Sequence, residues 1–340
     1  MELDGKLNFE SVLSTLRKQR KMTDLVGIDF STTAIKVVRI KKGKDGLSLA
    51  DIDLFSPVDF GAPVARIELP RNIAAHYGCL AYSAPDALIR MINVKPEPGE
   101  TTLPEAKIRE VLNVDEDYRV SALAVKGGGP DPAFLAVAIP ERDARFLLGT
   151  FPAGPPAPIS IETSGLAFAA AFMNACPEES ADETICLIDV GETLSHFIFL
   201  DKGAVVLAGK FGFGAGLLRA RVATDLEVDE ELAETILMDQ SINVSASLMG
   251  AMAAFVKQLS ISRDFIERHR RTRVSKVYVS GGLSLLPAWM GMIRQMLHAD
   301  VLTWDPLRNV HCPRGVLSEE MAGQATRFAA AIGAAVGGFE

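Results

Sequence analysis

The chain has 340 residues, 48% of them hydrophobic and 23% charged, and carries a formal net charge of −8 at pH 7. That length exceeds what one hydrophobic core usually serves, so two lobes are expected. The acidic balance argues against a nucleic-acid partner, which calls for a net basic face. Cys79, Cys176, Cys186, Cys312 and five histidines are dispersed rather than clustered. They offer no zinc-ligand spacing and read as reduced thiols of a cytosolic protein. Neither a signal-peptide pattern nor an unbroken apolar run of bilayer length is read; Met321 to Phe339 comes nearest, and Arg327 interrupts it.

Residues 1–22 stand apart. Phe9, Val12, Leu13 and Leu16 fall at helical spacing ahead of the basic run Arg17 to Lys21. They read either as a short amphipathic helix for an anionic surface or a partner groove, or as a loose extension before a domain that starts at Met22. The shortness of the stripe favours the extension. Leu25 to Asp29 and Ala34 to Ile40 then predict paired buried strands, with a third near Leu47 to Phe55.

From Cys79 to about Pro152 the texture changes. Short strands at 87–91, 120–125 and 134–139 alternate with helical pieces at 105–112 and 141–148, bounded by Lys126 to Pro130 and the proline-rich 151–158. An apolar helix at 163–174 follows. Strands are read at 184–189, 195–200 and 205–207, and Asp229 caps a helix start rich in acid. A long helix at 245–271, a strand at 276–280, a helix at 287–297 and a closing helix at 325–336 complete the chain.

Two segments repeat. Ile28-Asp29-Phe30-Ser31-Thr32-Thr33 parallels Ile188-Asp189-Val190-Gly191-Glu192-Thr193, and the match runs without a gap to Lys42-Gly43 against Lys202-Gly203. In each, a buried strand ends in aspartate, a small turn follows, and a second strand returns. Repetition on this scale implies two similar lobes facing a cleft. Turns of this kind present N–H groups and hydroxyls to anionic oxygens, while Asp29 and Asp189 are placed to hold a hydrated Mg²⁺. Ser280-Gly281-Gly282-Leu283 adds a strand, a double glycine and a helix, a turn that lets a ligand approach backbone at a helix N-terminus.

These three elements stand in the order of the two phosphate loops and the adenosine loop of the actin-like ATPase superfamily. Within it the chain resembles the PilM family of type IV pilus assembly proteins, relatives of the cell-division protein FtsA. The resemblance is carried by Gly27-Ile28-Asp29 with Lys36 and Val37-Val38, Phe213-Gly214, Val228 to Glu234, Ser280-Gly281-Gly282 with Leu286-Pro287, Asp305-Pro306 and Ala329 to Ala335.

It implies an α/β fold of duplicated, ribonuclease H-like lobes with a small α+β insert. The first lobe is then 23–78 and 153–176, closed by a C-terminal helix at 325–340, and the insert is 79–152. The second lobe is 177–340, with a mostly helical part at about 215–273. It also implies ATP with Mg²⁺, the metal held through water by Asp29 and Asp189. The nucleotide would lie against Asp29, Ser31, Thr32, Thr33, Lys36, Asp189, Gly191, Glu192, Thr193, Gly214, Gly281, Gly282 and Leu283. Glu162 falls where the superfamily often places the residue that orients the attacking water.

The family's role is a cytoplasmic scaffold at the inner face of the inner membrane, peripheral to it, binding the cytoplasmic tail of a PilN-like protein at the insert and meeting other pilus assembly proteins. Self-association is left open. Three departures bear on this. Ser31 stands where the first loop normally has glycine, Glu192 brings charge toward the nucleotide's own, and Gly214 is followed by alanine. They point to a slow ATPase at most. A scaffold without nucleotide, an FtsA-like division protein and a small-molecule kinase remain the alternatives.

Overall fold

The computed structural model describes residues 22–95, 102–125 and 133–339. The segment read as extension or amphipathic helix and the linker at 126–130 thus lie outside the described residues, Met22 excepted. The chain begins with β1 (Asp24–Phe30), β2 (Ile35–Gly43) and β3 (Gly46–Phe55). Next come β4 (Tyr77–Tyr82), β5 (Leu88–Asn93), α1 (Glu105–Leu112), β6 (Tyr118–Val125) and β7 (Ala133–Pro140). Then follow α2 (Glu141–Gly149), β8 (Ala157–Thr163), α3 (Ser164–Ala175) and α4 (Pro177–Asp182). The second half opens with β9 (Thr184–Val190), β10 (Ser195–Asp201), β11 (Ala204–Phe211), α5 (Ala215–Leu226), α6 (Glu230–Asp239) and α7 (Ser245–Arg270). It ends with β12 (Lys276–Gly281), α8 (Pro287–Leu297), β13 (Asp300–Thr303), β14 (Val310–His311), α9 (Glu319–Gly323) and α10 (Ala329–Gly337).

Among the described residues three sheets result. Six strands run in the order β14-β3-β2-β1-β4-β8, five as β11-β10-β9-β12-β13, and three as β5-β7-β6. The two larger sheets share a plan: an antiparallel meander, β1-β2-β3 or β9-β10-β11, whose first strand pairs in parallel with β4 or β12 on its other side. A strand buried on both faces reads as a continuous apolar run, and β1 and β9 do so because layers cover them on each side. This is the duplicated α/β architecture expected from the repeat.

Sequence and structure differ at particular places. β4 belongs to the six-stranded sheet, so the three-stranded sheet starts after Tyr82 rather than at Cys79. Its sequence, YGCLAY, has glycine and no β-branched residue; central position rather than local propensity makes it a strand. β8 begins in the proline-rich stretch, and its remainder carries the β-branched Ile159, Ile161 and Thr163. The double glycine does not open an α-helix directly. A single 3₁₀ turn, Gly282–Leu285, intervenes, and α8 waits for Pro287 at its first turn. The closing helix is likewise split, with a 3₁₀ turn at Ala325–Phe328 before α10.

α10 and α3 form the seam of the molecule. Both are alanine-rich, and α10 is buried along nearly its whole length. Phe168 and Phe172 of α3 reach Trp304, and Phe172 also meets Tyr278 of β12, which joins the two halves in one core. Gly333 and Gly27 permit the contact: a Cβ on Gly333 would stand 1.7 Å from the Ala167 carbonyl oxygen, and one on Gly27 1.9 Å from that of Ala331. Among the described residues no helix is long and apolar enough to cross a membrane.

Candidate functional site

The two aspartates end equivalent strands, and the strand register decides what lies beside each. Asp29 on β1 faces Lys36 on β2, and Asp189 on β9 faces His196 on β10. Asp29 is buried and both its oxygens are engaged. Lys36 Nζ donates to Oδ2 at 2.9 Å, and Ser164 Oγ, at the start of α3, donates to Oδ1 at 2.7 Å. Asp189 accepts no hydrogen bond among the described residues. Burial pushes its carboxyl up to about 6; Lys36 pulls it back and Asp29 pushes it further. The structure thus brings Asp29, Lys36 and Asp189 into one electrostatic cluster. Of the two carboxyls, Asp189 is the one without a hydrogen-bond partner among the described residues.

The turns behind these aspartates are alike. Ser31 N–H donates to the Ala34 carbonyl and Gly191 N–H to that of Leu194, each at 3.2 Å. The Ser31 hydroxyl also donates to the Ala34 carbonyl, at 2.8 Å, so it is spent on its own turn. Thr32, Thr33, Gly191 and Thr193 are exposed at the turn tips. Glu192 is turned aside: Arg219 Nη2 of α5 holds its Oε1 at 2.5 Å. The charge expected to oppose a nucleotide is therefore neutralised within the chain, a partnership that needs the first turns of α5 and is invisible in a linear reading.

Gly214 and Gly281 are dictated by close approach. A Cβ on Gly214 would lie 2.2 Å from the Glu192 carbonyl oxygen. Without it, α5 starts directly on the second turn, giving the Ala215 and Gly216 N–H groups to the carbonyls of Gly191 and Glu192 at 3.0 Å each. Gly281 has φ of +83° and no room against Val190. Ser280 is buried with its hydroxyl donating to the Thr326 carbonyl at 2.7 Å, Leu283 is buried, and Gly282 is exposed beside them.

His196 was not among the residues singled out from sequence, although the repeat places it opposite Asp189 as Lys36 stands opposite Asp29. It is 3% exposed. Burial drives its imidazole down to about 4, with Asp29 opposing and Lys210 adding to the fall. The unfolded chain protonates this group near 6.5 and the folded chain does not. Its stabilising contribution is therefore complete above pH 6.5 and is lost as pH falls toward 4. Asp189, shifted upward, acts in the opposite sense over an overlapping range. Relative to a His196→Gln variant, the wild type should lose about 2–3 kcal/mol of unfolding free energy between pH 7 and pH 4.5. Urea titrations of the two proteins at both pH values test this, and parallel profiles would refute it.

Glu162 lies near the end of β8, outside the aspartate cluster. It lines a cavity of about 440 Å³ between β6 and β7 of the three-stranded sheet, α2 and β8. Burial alone pushes its carboxyl up to about 7. Val120, Leu123, Val137, Leu148, Ile159 and Ile161 make the groove largely apolar, and Leu123 is 71% exposed. β6 and β8 are the outer strands of their sheets among the described residues. Thr163 lines both this groove and a smaller cavity of about 110 Å³ with Ala84, His196 and Lys210. Beside that cavity Lys210 Nζ donates to the carbonyls of Ala84, at 2.9 Å, and Pro85, tying the second sheet to the first half. Among the described residues no group of three or more His, Cys, Asp and Glu side chains is arranged to hold a metal.

Comparison with known proteins agrees with this architecture. The chain of a PilM–PilN type IV pilus biogenesis complex superposes with a TM-score of 0.78 at 15% identity, covering 94% of this chain and 100% of that one. The ethanolamine utilization protein EutJ from Carboxydothermus hydrogenoformans gives 0.49 at 15% identity over 97% and 99% of the two chains. An archaeal actin homologue complexed with ADP gives 0.44 at 13% identity over 93% and 99%. No curated protein matches the sequence. A family model described as type IV pilus assembly protein PilM matches residues 158–339. With that match over more than half its length and an actin-like fold throughout, the chain belongs to the PilM family of type IV pilus assembly proteins.

Proposed function

We propose that this chain is a cytoplasmic scaffold of pilus assembly, seated at the inner face of the inner membrane. It takes ATP between its lobes and the short cytoplasmic tail of a PilN-like protein in the groove between β6 and β8. The groove carries the reading: an apolar trough with an outer strand on each side suits an extended peptide, which gains backbone hydrogen bonds from an edge and side-chain burial from the floor. One structure similar to this one is that of a PilM–PilN complex, which supports the same occupant. On this reading the three-stranded sheet with α1 and α2 is the insert that holds the partner, and 215–273 is the helical part of the second lobe.

The residues present fit a nucleotide. Asp189 has an unpartnered carboxyl for a hydrated Mg²⁺, Lys36 supplies a cation, and Gly282 is exposed beside the turns. Bound ATP would supply anionic phosphates that favour the closed arrangement of the lobes. The chain's part is to orient them with Lys36, with Ser164 fixing Asp29 from α3. Glu162 lines the groove and makes no bond to the aspartate cluster, and ATP on this reading is a conformational ligand.

The test is a pull-down of the full chain with a peptide of the PilN-like tail. The wild type should retain it, and Leu123→Glu, which places a charge on the exposed apolar lip, should lose at least about tenfold in affinity, roughly 1.4 kcal/mol. Equal retention by both proteins would remove the groove from consideration.

A further inference from the structure

The groove is apolar except for a few groups, and those groups are not equally satisfied. Arg119 lines it from β6, yet its guanidinium is committed to Glu141 on α2, with Nε to Oε2 at 2.5 Å and Nη2 to Oε1 at 3.1 Å. Arg145 holds the same carboxylate at 2.7 Å. Glu162 has no such arrangement. Among the described residues its carboxyl makes no hydrogen bond and no ion pair, although it is half-buried on β8. The hydroxyl of the next residue, Thr163, is buried and likewise without a partner. An unpaired carboxyl facing an apolar trough is costly to keep charged, and a cation brought in by a ligand removes that cost.

We propose that Glu162 is the residue by which the groove selects its occupant, recognising one lysine or arginine side chain set among the apolar residues of an extended segment. The proposal rests on the groove being the partner site. Shape and apolarity alone would accept many apolar strands. A single half-buried acid among aliphatic side chains rejects those that bring no cation to it, because on binding they leave its polar atoms desolvated and unanswered. Burial raises the pKa of Glu162 in the empty groove, and a neighbouring cation would draw it back down. A charge pair of this kind is tighter inside a desolvated trough than on open surface. Glu162 also sits two places before Ser164, whose hydroxyl holds Asp29.

The experiment uses the full chain and labelled, capped octapeptides of Val, Ile and Leu with one lysine moved stepwise along them. Each is compared with a twin carrying norleucine in its place, and binding is read by fluorescence polarisation. At one lysine position or more, the wild type should bind the lysine peptide about tenfold more tightly than its twin. In Glu162→Gln that preference should vanish, while the norleucine peptide binds at least as well as before. No preference at any position, or a preference that survives in Glu162→Gln, would overturn the role of Glu162 and leave the groove standing. Failure of every peptide to bind the wild type would overturn both. Should Glu162→Gln fold poorly, Glu162→Leu, which extends the aliphatic lining of the groove, is held to the same two outcomes.

Discussion

Gly333→Ala should lower the thermal midpoint by about 4 °C or more, and Gly333→Val should abolish cooperative folding. The added Cβ would fall 1.7 Å from the Ala167 carbonyl oxygen, 2.5 Å from its carbon and 2.9 Å from the Ala171 nitrogen. All three are backbone atoms of α3, which cannot swing aside as a side chain can. Relief requires separating α10 from α3, at the seam where the aromatic cluster around Trp304 also packs. Overpacking of a closed core costs roughly 3 kcal/mol or more, which sets the expected shift. Gly291 on α8, with open space around its Cβ position, is the control. There alanine should be neutral or slightly stabilising, since glycine is a poor residue in a helix interior. Melting curves followed by circular dichroism decide it, and an unchanged midpoint for Gly333→Ala would show that the seam is looser than described.

Titration of Mg²⁺–ATP into the wild type should give measurable binding, and Asp29→Ala should weaken it on the order of 100-fold, or about 2.7 kcal/mol. Asp29 fixes two groups at once, Lys36 from β2 and Ser164 from α3. Its removal leaves the Lys36 ammonium, only 15% exposed, without its carboxylate. The nearest remaining acid in the cluster is Asp189, so the ammonium would compete with the metal for the free oxygens. Asp29→Asn keeps a hydrogen-bond acceptor for Ser164 while losing the charge, and should fall between the two. Silence from the wild type in the calorimeter would sink the nucleotide part of the proposal and leave a scaffold. Equal affinity in wild type and Asp29→Ala would place the site elsewhere.

Much of the site was legible because it is local. An aspartate that ends a buried strand, a small turn and a returning strand are contiguous in sequence, and their second occurrence fixed the pairing of Asp29 with Asp189. What stayed hidden depends on register or on distant elements. His196 follows from the repeat only once β9 and β10 are known to face each other as β1 and β2 do. Glu192 looked like an obstacle to a nucleotide because Arg219, which neutralises it, lies on the next helix. Glu162 was read by its place between insert and helix, and that place says nothing of the groove it lines.

By itself the sequence determined two similar halves, the strands that carry the aspartates, the capped start of α6 at Asp229 and the long basic-ended α7. Each rests on hydrophobic periodicity or a local hydrogen bond, which a few neighbouring residues specify; the Asp229 side chain indeed accepts from the Leu232 N–H. Tertiary structure alone decided that YGCLAY is a central strand, that α10 closes on α3 through glycine, and that Glu162 faces an apolar trough. Those outcomes turn on which surfaces are available to bury a segment, and burial is a property of the whole chain rather than of any stretch within it.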